Sequence, residues 1–121
     1  MSKILVLDDN EILLTVTADM LELDGHEVRA LNNAGEFEPI LQKETFELLI
    51  TDIIMPDREG FEIIMYVREK YPEMKIIAIT GRDMGESFDI LELASGIGAD
   101  ATLKKPFTHE ALSKLVGDLL S

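Results

Sequence analysis

The chain has 121 residues, 46% of them hydrophobic, with no cysteine and a formal net charge of −13. This length predicts one domain over 1–121 with enough apolar material for a core, and the lack of cysteine excludes disulfides and thiolate metal sites. A surface this acidic repels phosphate backbones, which argues against direct nucleic-acid binding and favours a bound cation or a partner with a basic patch. No apolar run approaches the ~20 residues that span a bilayer, so we expect no membrane contact and a cytoplasmic protein.

Short apolar strands alternate with helical segments along the chain. The predicted strands are 3–7, 27–31, 47–51, 75–80 and 100–104. The predicted helices are 11–24, from 32 or 33 to about 44, 60–71, about 85–97, and 108–120. Asn32 or Asn33 can cap the second helix, and Pro39 is expected to limit where its regular part begins. The first helix has a helical apolar stripe at Leu13, Val16, Met20 and Leu23, and Gly25 is its expected C-terminal cap.

Five strand–helix units in succession predict a parallel sheet that is covered by helices on both faces. The first, third and fourth strands are almost wholly apolar, as expected of central strands buried on both sides. A closed barrel of eight such units would need about twice this length, so the predicted fold is an open, doubly wound, five-stranded α/β sheet. Ligands of such sheets bind outside the carboxyl ends of the strands.

Polar side chains stand at this edge of four predicted strands. Asp8 and Asp9 follow the first strand, Asp52 ends the third, Thr80 ends the fourth and Lys105 follows the fifth. Carboxylates ~4 Å apart repel each other by roughly 4 kcal/mol, so three together need a counter-cation, and hard oxygen ligands favour Mg²⁺. A carboxylate can attack phosphorus to form an aspartyl phosphate, and a cation, an ammonium and a hydroxyl can neutralise and orient the phosphoryl group.

Five short motifs extend this pattern over the whole chain: Asp8-Asp9, Asp52 with Met55-Pro56 and Gly60, Thr80-Gly81, Gly98-Ala99-Asp100, and Lys105-Pro106-Phe107. In this order and approximate spacing they resemble the receiver domain of response regulators in two-component signal transduction. The resemblance implies a flavodoxin-like sheet of order 2-1-3-4-5 with five helices. It also implies phosphoryl transfer from a phosphohistidine on a histidine kinase or a histidine phosphotransfer protein.

The resemblance further implies a metal site. Asp52 would be the phosphoacceptor and Asp9 a direct Mg²⁺ ligand. Asp8 would help to hold the ion, directly or through water. The backbone carbonyl of Ile54 would complete the protein ligands.

Thr80 and Lys105 would contact the phosphoryl group in such a domain. Periodicity does not distinguish Lys105 from Lys104, but the family places its lysine directly before the proline. The chain departs from the family at Thr102, where receivers usually have an aromatic residue. We therefore expect the loop 81–87 and the start of the next helix to report phosphorylation, and phosphorylation-dependent dimerisation is a further expectation.

Simpler interpretations exist for each residue. The segment Asp8-Asp9-Asn10 could end a strand and cap a helix, Thr80 could be an ordinary strand residue, and Lys105 could be a solvated charge. A haloacid-dehalogenase-like phosphatase would need Asp-x-Asp after the first strand, and a flavodoxin-like carrier would need a phosphate loop there. The remaining alternative to a phosphorylation switch, which acts enzymatically only on itself, is a pseudo-receiver that serves only as a protein-interaction module.

Overall fold

The computed structural model describes residues 2–53, 60–80 and 96–121. Its strands are β1 (Lys3–Leu7), β2 (Glu27–Leu31), β3 (Leu48–Asp52), β4 (Lys75–Thr80) and β5 (Ala101–Lys104). The α-helices of the described residues are α1 (Glu11–Leu23), α2 (Phe37–Lys43), α3 (Gly60–Lys70) and α4 (His109–Leu120). Most of the helix predicted at about 85–97 lies outside the described residues.

The five strands form one parallel sheet of order β2-β1-β3-β4-β5, which confirms the predicted fold. Every residue of β3 is buried, because this strand lies at the centre of the sheet and helices cover both of its faces. Successive side chains of a strand point to opposite faces, so a central strand has to be apolar at nearly every position. No helix in these ranges has the length and apolar composition that crossing a bilayer requires.

Two apolar cores lie on opposite faces of the sheet, and β3 contributes to both. Leu49 packs on the side of α2 and α3. Leu48 and Ile50 pack on the side of α1 and α4. Full burial of one such side chain contributes about 1.5–3 kcal/mol, so the two cores together hold the sheet in place and fix the edge on which its strands end.

The predicted apolar stripe of α1 is not the face that packs on the sheet. The buried residues of this helix are Leu14, Thr17 and Leu21. Leu13 is 37% exposed and Leu23 is 78% exposed. Because α1 is apolar around much of its circumference, its periodicity alone does not decide which side meets the core.

Two helix ends also differ in how well the sequence predicts them. The backbone N–H groups of Gly25 and His26 donate to the carbonyls of Glu22 and Leu21, so Gly25, with φ 92°, ends α1 as predicted. Asn33, one of the two predicted caps of the second helix, accepts the backbone N–H of Gly35 at 2.9 Å at the start of a short 3-10 helix, Ala34–Glu36. The regular helix α2 then begins at Phe37, two residues before Pro39, where the sequence had placed a limit on its start.

Candidate functional site

Three carboxylates converge at the carboxyl ends of the central strands. Leu7 of β1 pairs with Thr51 of β3, so Asp8 and Asp52 occupy the next position on two neighbouring strands. One carboxylate oxygen each from Asp8, Asp9 and Asp52 lies within 4.8 Å of the others. The sheet therefore assembles a single acidic cluster from two segments of the chain, since Asp52 lies more than 40 positions after Asp8 and Asp9.

The segment after β1 caps α1, as the simpler interpretation of this segment predicts, and it also contributes two carboxylates to the acidic cluster. Asn10 Oδ1 accepts the backbone N–H groups of Ile12 at 3.0 Å and Leu13 at 3.1 Å. Asp8 Oδ1 in turn accepts the backbone N–H of Asn10 at 3.0 Å. Capping thus fixes the direction of Asp8, which is buried, while Asp9 beside it stays exposed.

Lys105 brings the positive charge to the cluster. Its Nζ donates to Asp8 Oδ2 at 2.9 Å and to Asp52 Oδ2 at 2.8 Å, whereas Lys104 is exposed. Burial alone would lower the pKa of the Lys105 ammonium, but the hydrogen bonds and charges of Asp52 and Asp8 outweigh burial and raise this pKa above its ordinary value. Lys105 is therefore held as a cation between two strands.

Thr80 ends β4 at the same edge of the sheet. Ile79 pairs with Asp52, so Thr80 lies one position further towards the cluster, and the residue is 1% exposed. Its backbone carbonyl accepts the N–H of Lys105 at 2.8 Å, which ties the segment after β5 to the end of β4. Ile54, the predicted carbonyl ligand, lies outside the described residues.

The composition of the cluster suits a hard divalent cation. Among the described residues, the lysine that contacts the cluster offsets one of its three carboxylate charges, which leaves an excess of negative charge in a partly buried place. Carboxylate oxygens with access to water are the ligands that Mg²⁺ prefers. The residues present therefore fit the predicted metal.

Gly60 places the start of α3 directly against the backbone that carries Asp52. Its N–H donates to the carbonyl of Ile53 at 2.6 Å. A Cβ atom at this position would meet the carbonyl oxygen of Asp52 and would lie 2.5 Å from Ile53 Cα. Only glycine allows this close approach, so the start of α3 packs directly against the backbone that carries Asp52.

Comparison with known families agrees with this geometry. The model of the family described as "Response regulator receiver domain" matches residues 4–117. This chain belongs to that family. The match includes residues of all five strands and the described residues of the acidic cluster, so the sheet edge described above is the corresponding edge of a receiver domain.

Curated relatives of this receiver domain are longer proteins. The chain is 33% identical over 115 residues to the "Response regulator protein FleR" of Pseudomonas aeruginosa, covering 95% of this chain and 24% of that protein. It is 36% identical over 114 residues to the "Transcriptional regulatory protein CpxR homolog" of Haemophilus influenzae, covering 93% of this chain and 47% of that protein. The chain thus spans about a quarter to a half of the length of these relatives.

Solved structures share the fold over almost the whole receiver domain. A response regulator receiver domain protein from Clostridium thermocellum has a TM-score of 0.90 at 31% identity, covering 99% of this chain and 94% of the other. The chemotaxis protein CheY4 of Vibrio cholerae has a TM-score of 0.86 at 29% identity, covering 98% of both chains. The backbone of this chain therefore follows the backbones of these two proteins closely.

The motif Gly98-Ala99-Asp100 contributes to the receiver fold through a contact that sequence reasoning did not identify. Arg68 of α3 donates to the carbonyl of Gly98 at 2.7 and 3.0 Å and to Asp100 Oδ2 at 2.6 Å. The same Asp100 oxygen accepts the backbone N–H of Ile76 at 2.8 Å. No local signal links Arg68 to a segment 30 residues away, so only the folded chain reveals this clamp at the start of β5.

The departure at Thr102 lies on β5, where Thr102 pairs with Ala78 of β4. Two small residues thus face each other where the family usually has an aromatic ring. The loop 81–87, which we expect to report phosphorylation, lies outside the described residues. That expectation stays a prediction.

Proposed function

We propose that this receiver domain accepts a phosphoryl group from a phosphohistidine of a histidine kinase or histidine phosphotransfer protein onto Asp52. The reaction would depend on Mg²⁺, and the phosphorylated domain would switch its binding of partner proteins in the cytoplasm. The observation that supports this most directly is the placement of Asp52 at the end of β3, with the ammonium of Lys105 2.8 Å from its Oδ2. A nucleophilic carboxylate and a cation that can neutralise phosphoryl oxygens are therefore adjacent.

The chemistry assigned to the residues is a single displacement at phosphorus. A carboxylate oxygen of Asp52 forms the new O–P bond while the N–P bond of the donor breaks and the electron pair leaves on the imidazole, which takes a proton from solvent. Lys105 compensates the negative charge of the transferred group, and the hydroxyl of Thr80 donates a hydrogen bond to it. Hydrolysis of the aspartyl phosphate by water resets the switch.

Asp8, Asp9, Asp52 and the carbonyl of Ile54 would hold Mg²⁺ in this proposal. The bound ion supplies charge neutralisation for phosphoryl oxygens and removes the repulsion among the carboxylates. Asp8 Oδ1 accepts the backbone N–H of Asn10, and Asp8 is assigned contact with the ion either directly or through water. Asp9 is the more exposed ligand and is assigned direct contact.

An apolar surface beside the cluster supports a protein, rather than a small metabolite, as the phosphodonor. Ile12 is 77% exposed and Val16 is 43% exposed on the side of α1 that faces away from the sheet. A cleft of about 310 Å³ runs from α1 to Lys105 and is lined by Val16, Met20 and Phe107 among others. Exposed apolar patches next to a reactive group favour docking of another protein.

Mass spectrometry of the intact protein with a small acyl phosphate tests the acceptor. The wild type should gain one phosphoryl group only when Mg²⁺ is present, and Asp52→Asn should gain none. Asp19→Asn, which removes an exposed acid of α1, is the matched control and should be labelled like the wild type. Equal labelling of Asp52→Asn would contradict the proposal, and an unlabelled wild type would favour a pseudo-receiver.

A pair of variants tests the lysine. Lys105→Ala should impair phosphorylation or the response to it, because its ammonium lies 2.8 Å from the acceptor. Lys104→Ala removes the same charge one residue earlier, from an exposed side chain, and should behave like the wild type. The reverse result would show that the assignment is displaced by one residue.

A further inference from the structure

The single ammonium group of Lys105 forms ion pairs with two carboxylates. Nζ lies 2.9 Å from Asp8 Oδ2 and 2.8 Å from Asp52 Oδ2, and 14% of the Lys105 side chain is exposed. The other oxygen of Asp8 accepts the N–H of Asn10 at 3.0 Å. Both carboxylate oxygens of Asp8 therefore accept hydrogen bonds from the protein. The donor on Oδ2 is the Lys105 ammonium, which is positively charged, as a metal ion would be.

Asp9 differs from its two neighbours in the cluster. It is exposed, and its carboxylate has no hydrogen bond or ion pair with any residue in the described ranges. An incoming cation would thus meet one open carboxylate and two that are engaged by Lys105. The three acids of the cluster are not equivalent towards a metal.

We propose that Lys105 is a built-in competitor of the divalent cation for Asp8 and Asp52. This inference rests on the proposed function, which supplies Mg²⁺ as the cation. A dication and an ammonium that share the same carboxylates repel each other, so the ion binds only as Lys105 gives up Asp8. Lys105 therefore sets the metal affinity of the site as well as contacting the phosphoryl group.

The backbone of Lys105 allows this exchange without unfolding. Its N–H donates to the carbonyl of Thr80 at 2.8 Å, so the chain at this residue stays attached to the end of β4. The four-carbon side chain of lysine has enough rotatable bonds to move the ammonium from Asp8 while it stays near Asp52. When the metal binds, the Lys105 ammonium would thus leave Asp8 and stay near Asp52, the carboxylate that receives the phosphoryl group.

Calorimetric titration of Mg²⁺ into Lys105→Met and Lys104→Met tests the competition. Both variants remove one positive charge from neighbouring residues, but only Lys105 contacts the acids. Lys105→Met should bind Mg²⁺ about tenfold more tightly than the wild type, or better, because the variant lacks the ammonium that repels the dication at the shared carboxylates. Lys104→Met should stay within about twofold of the wild type at near-physiological salt, where exposed charges beyond about 8 Å are screened.

The outcomes separate this inference from the proposed function. Binding by the wild type with unchanged or weaker binding by Lys105→Met would refute the competition and leave the metal site standing. Binding by the variant alone would support the competition strongly. Absence of binding by both proteins would refute the metal site and the competition with it.

Lysine acylation in the wild type gives a second readout that needs no variant. A limiting amount of an N-hydroxysuccinimide ester should modify Lys105 slowly in metal-free protein, because its ammonium is enclosed by two carboxylates. Saturating Mg²⁺ should raise the Lys105 rate severalfold, as measured by peptide mass spectrometry, and leave Lys104 unchanged. A Lys105 rate that stays constant or falls would overturn the proposal.

Discussion

The contact between Gly60 and the backbone of β3 makes Gly60→Ala a sensitive probe of how α3 supports the site. The added Cβ would lie 2.5 Å from Ile53 Cα and 2.7 Å from Ile53 O, and real Cβ atoms essentially never come closer than 3.0 Å. The obstructing atoms are backbone atoms at the end of a strand buried on both faces, so they have no rotamer by which to move away. The helix would have to shift by at least about half an ångström, and the whole end of α3 with it.

The magnitude follows from two opposing effects. Alanine favours a helix over glycine by about 1 kcal/mol, whereas overpacking of a tight core costs about 1–3 kcal/mol and occasionally more. A clash with backbone belongs at the upper end of that range, so we expect a net loss of about 2 kcal/mol in the free energy of unfolding. For a domain of this size that loss corresponds to a fall of roughly 8 °C in Tm.

Urea and thermal unfolding measure this effect, and Gly117→Ala is the matched control. Gly117 lies within α4, and a Cβ there would have no atom within 4 Å. The same substitution should therefore stabilise the domain, by up to about 1 kcal/mol, because only helix propensity acts. If Gly60→Ala were as stable as the wild type, the close packing of α3 against Asp52 would not be a constraint and the reasoning would be wrong.

Three further predictions concern metal, clamp and pH. Millimolar Mg²⁺ should raise the Tm of the wild type, and Asp9→Ala should lose most of that gain while being at least as stable without metal, since one repulsion is removed. Arg68→Met should lower the free energy of unfolding by about 1–3 kcal/mol in urea titrations, because the partly buried carbonyls of Gly98 and Met74 lose a charged donor. Hydrogen bonds from Ser113 and then from His109 lower the pKa of Asp24 below 3.8, so its contribution to stability is present above pH 3.8 and is lost as the pH falls through the lowered value. Asp24→Asn should therefore flatten the acid limb of the stability profile, and an unchanged limb would contradict the assignment.

The parallel sheet and the edge that holds the site could be predicted because both depend on local patterns. Unbroken apolar runs indicate central strands, since each face of such a strand must be covered. Polar residues that interrupt these runs at Asp8, Asp52 and Thr80 then fall at one edge, because parallel strands all end on the same side. These inferences need no knowledge of long-range contacts.

The orientation of helices could not be predicted in the same way. Periodicity identified α1 but not its buried side, which contains Leu14 and Leu21 rather than Leu13 and Leu23. The sequence indicated a cap at Asn33 and a later start of the regular helix near Pro39, but it did not indicate the 3-10 helix Ala34–Glu36 that lies between them. The buried side of α1 depends on which neighbour the helix packs against.

The apolar strands and the set of residues at their carboxyl ends can be read from the sequence, because hydrophobic patterns and turn chemistry act over a few residues. The interactions among those residues are visible only in the folded chain. Lys105 bridges Asp8 and Asp52 across 97 and 53 positions of the chain, and Gly60 meets the backbone of β3. Such contacts depend on the order and spacing of the strands in the sheet. No local sequence pattern encodes them, because the atoms come together only when the chain is folded.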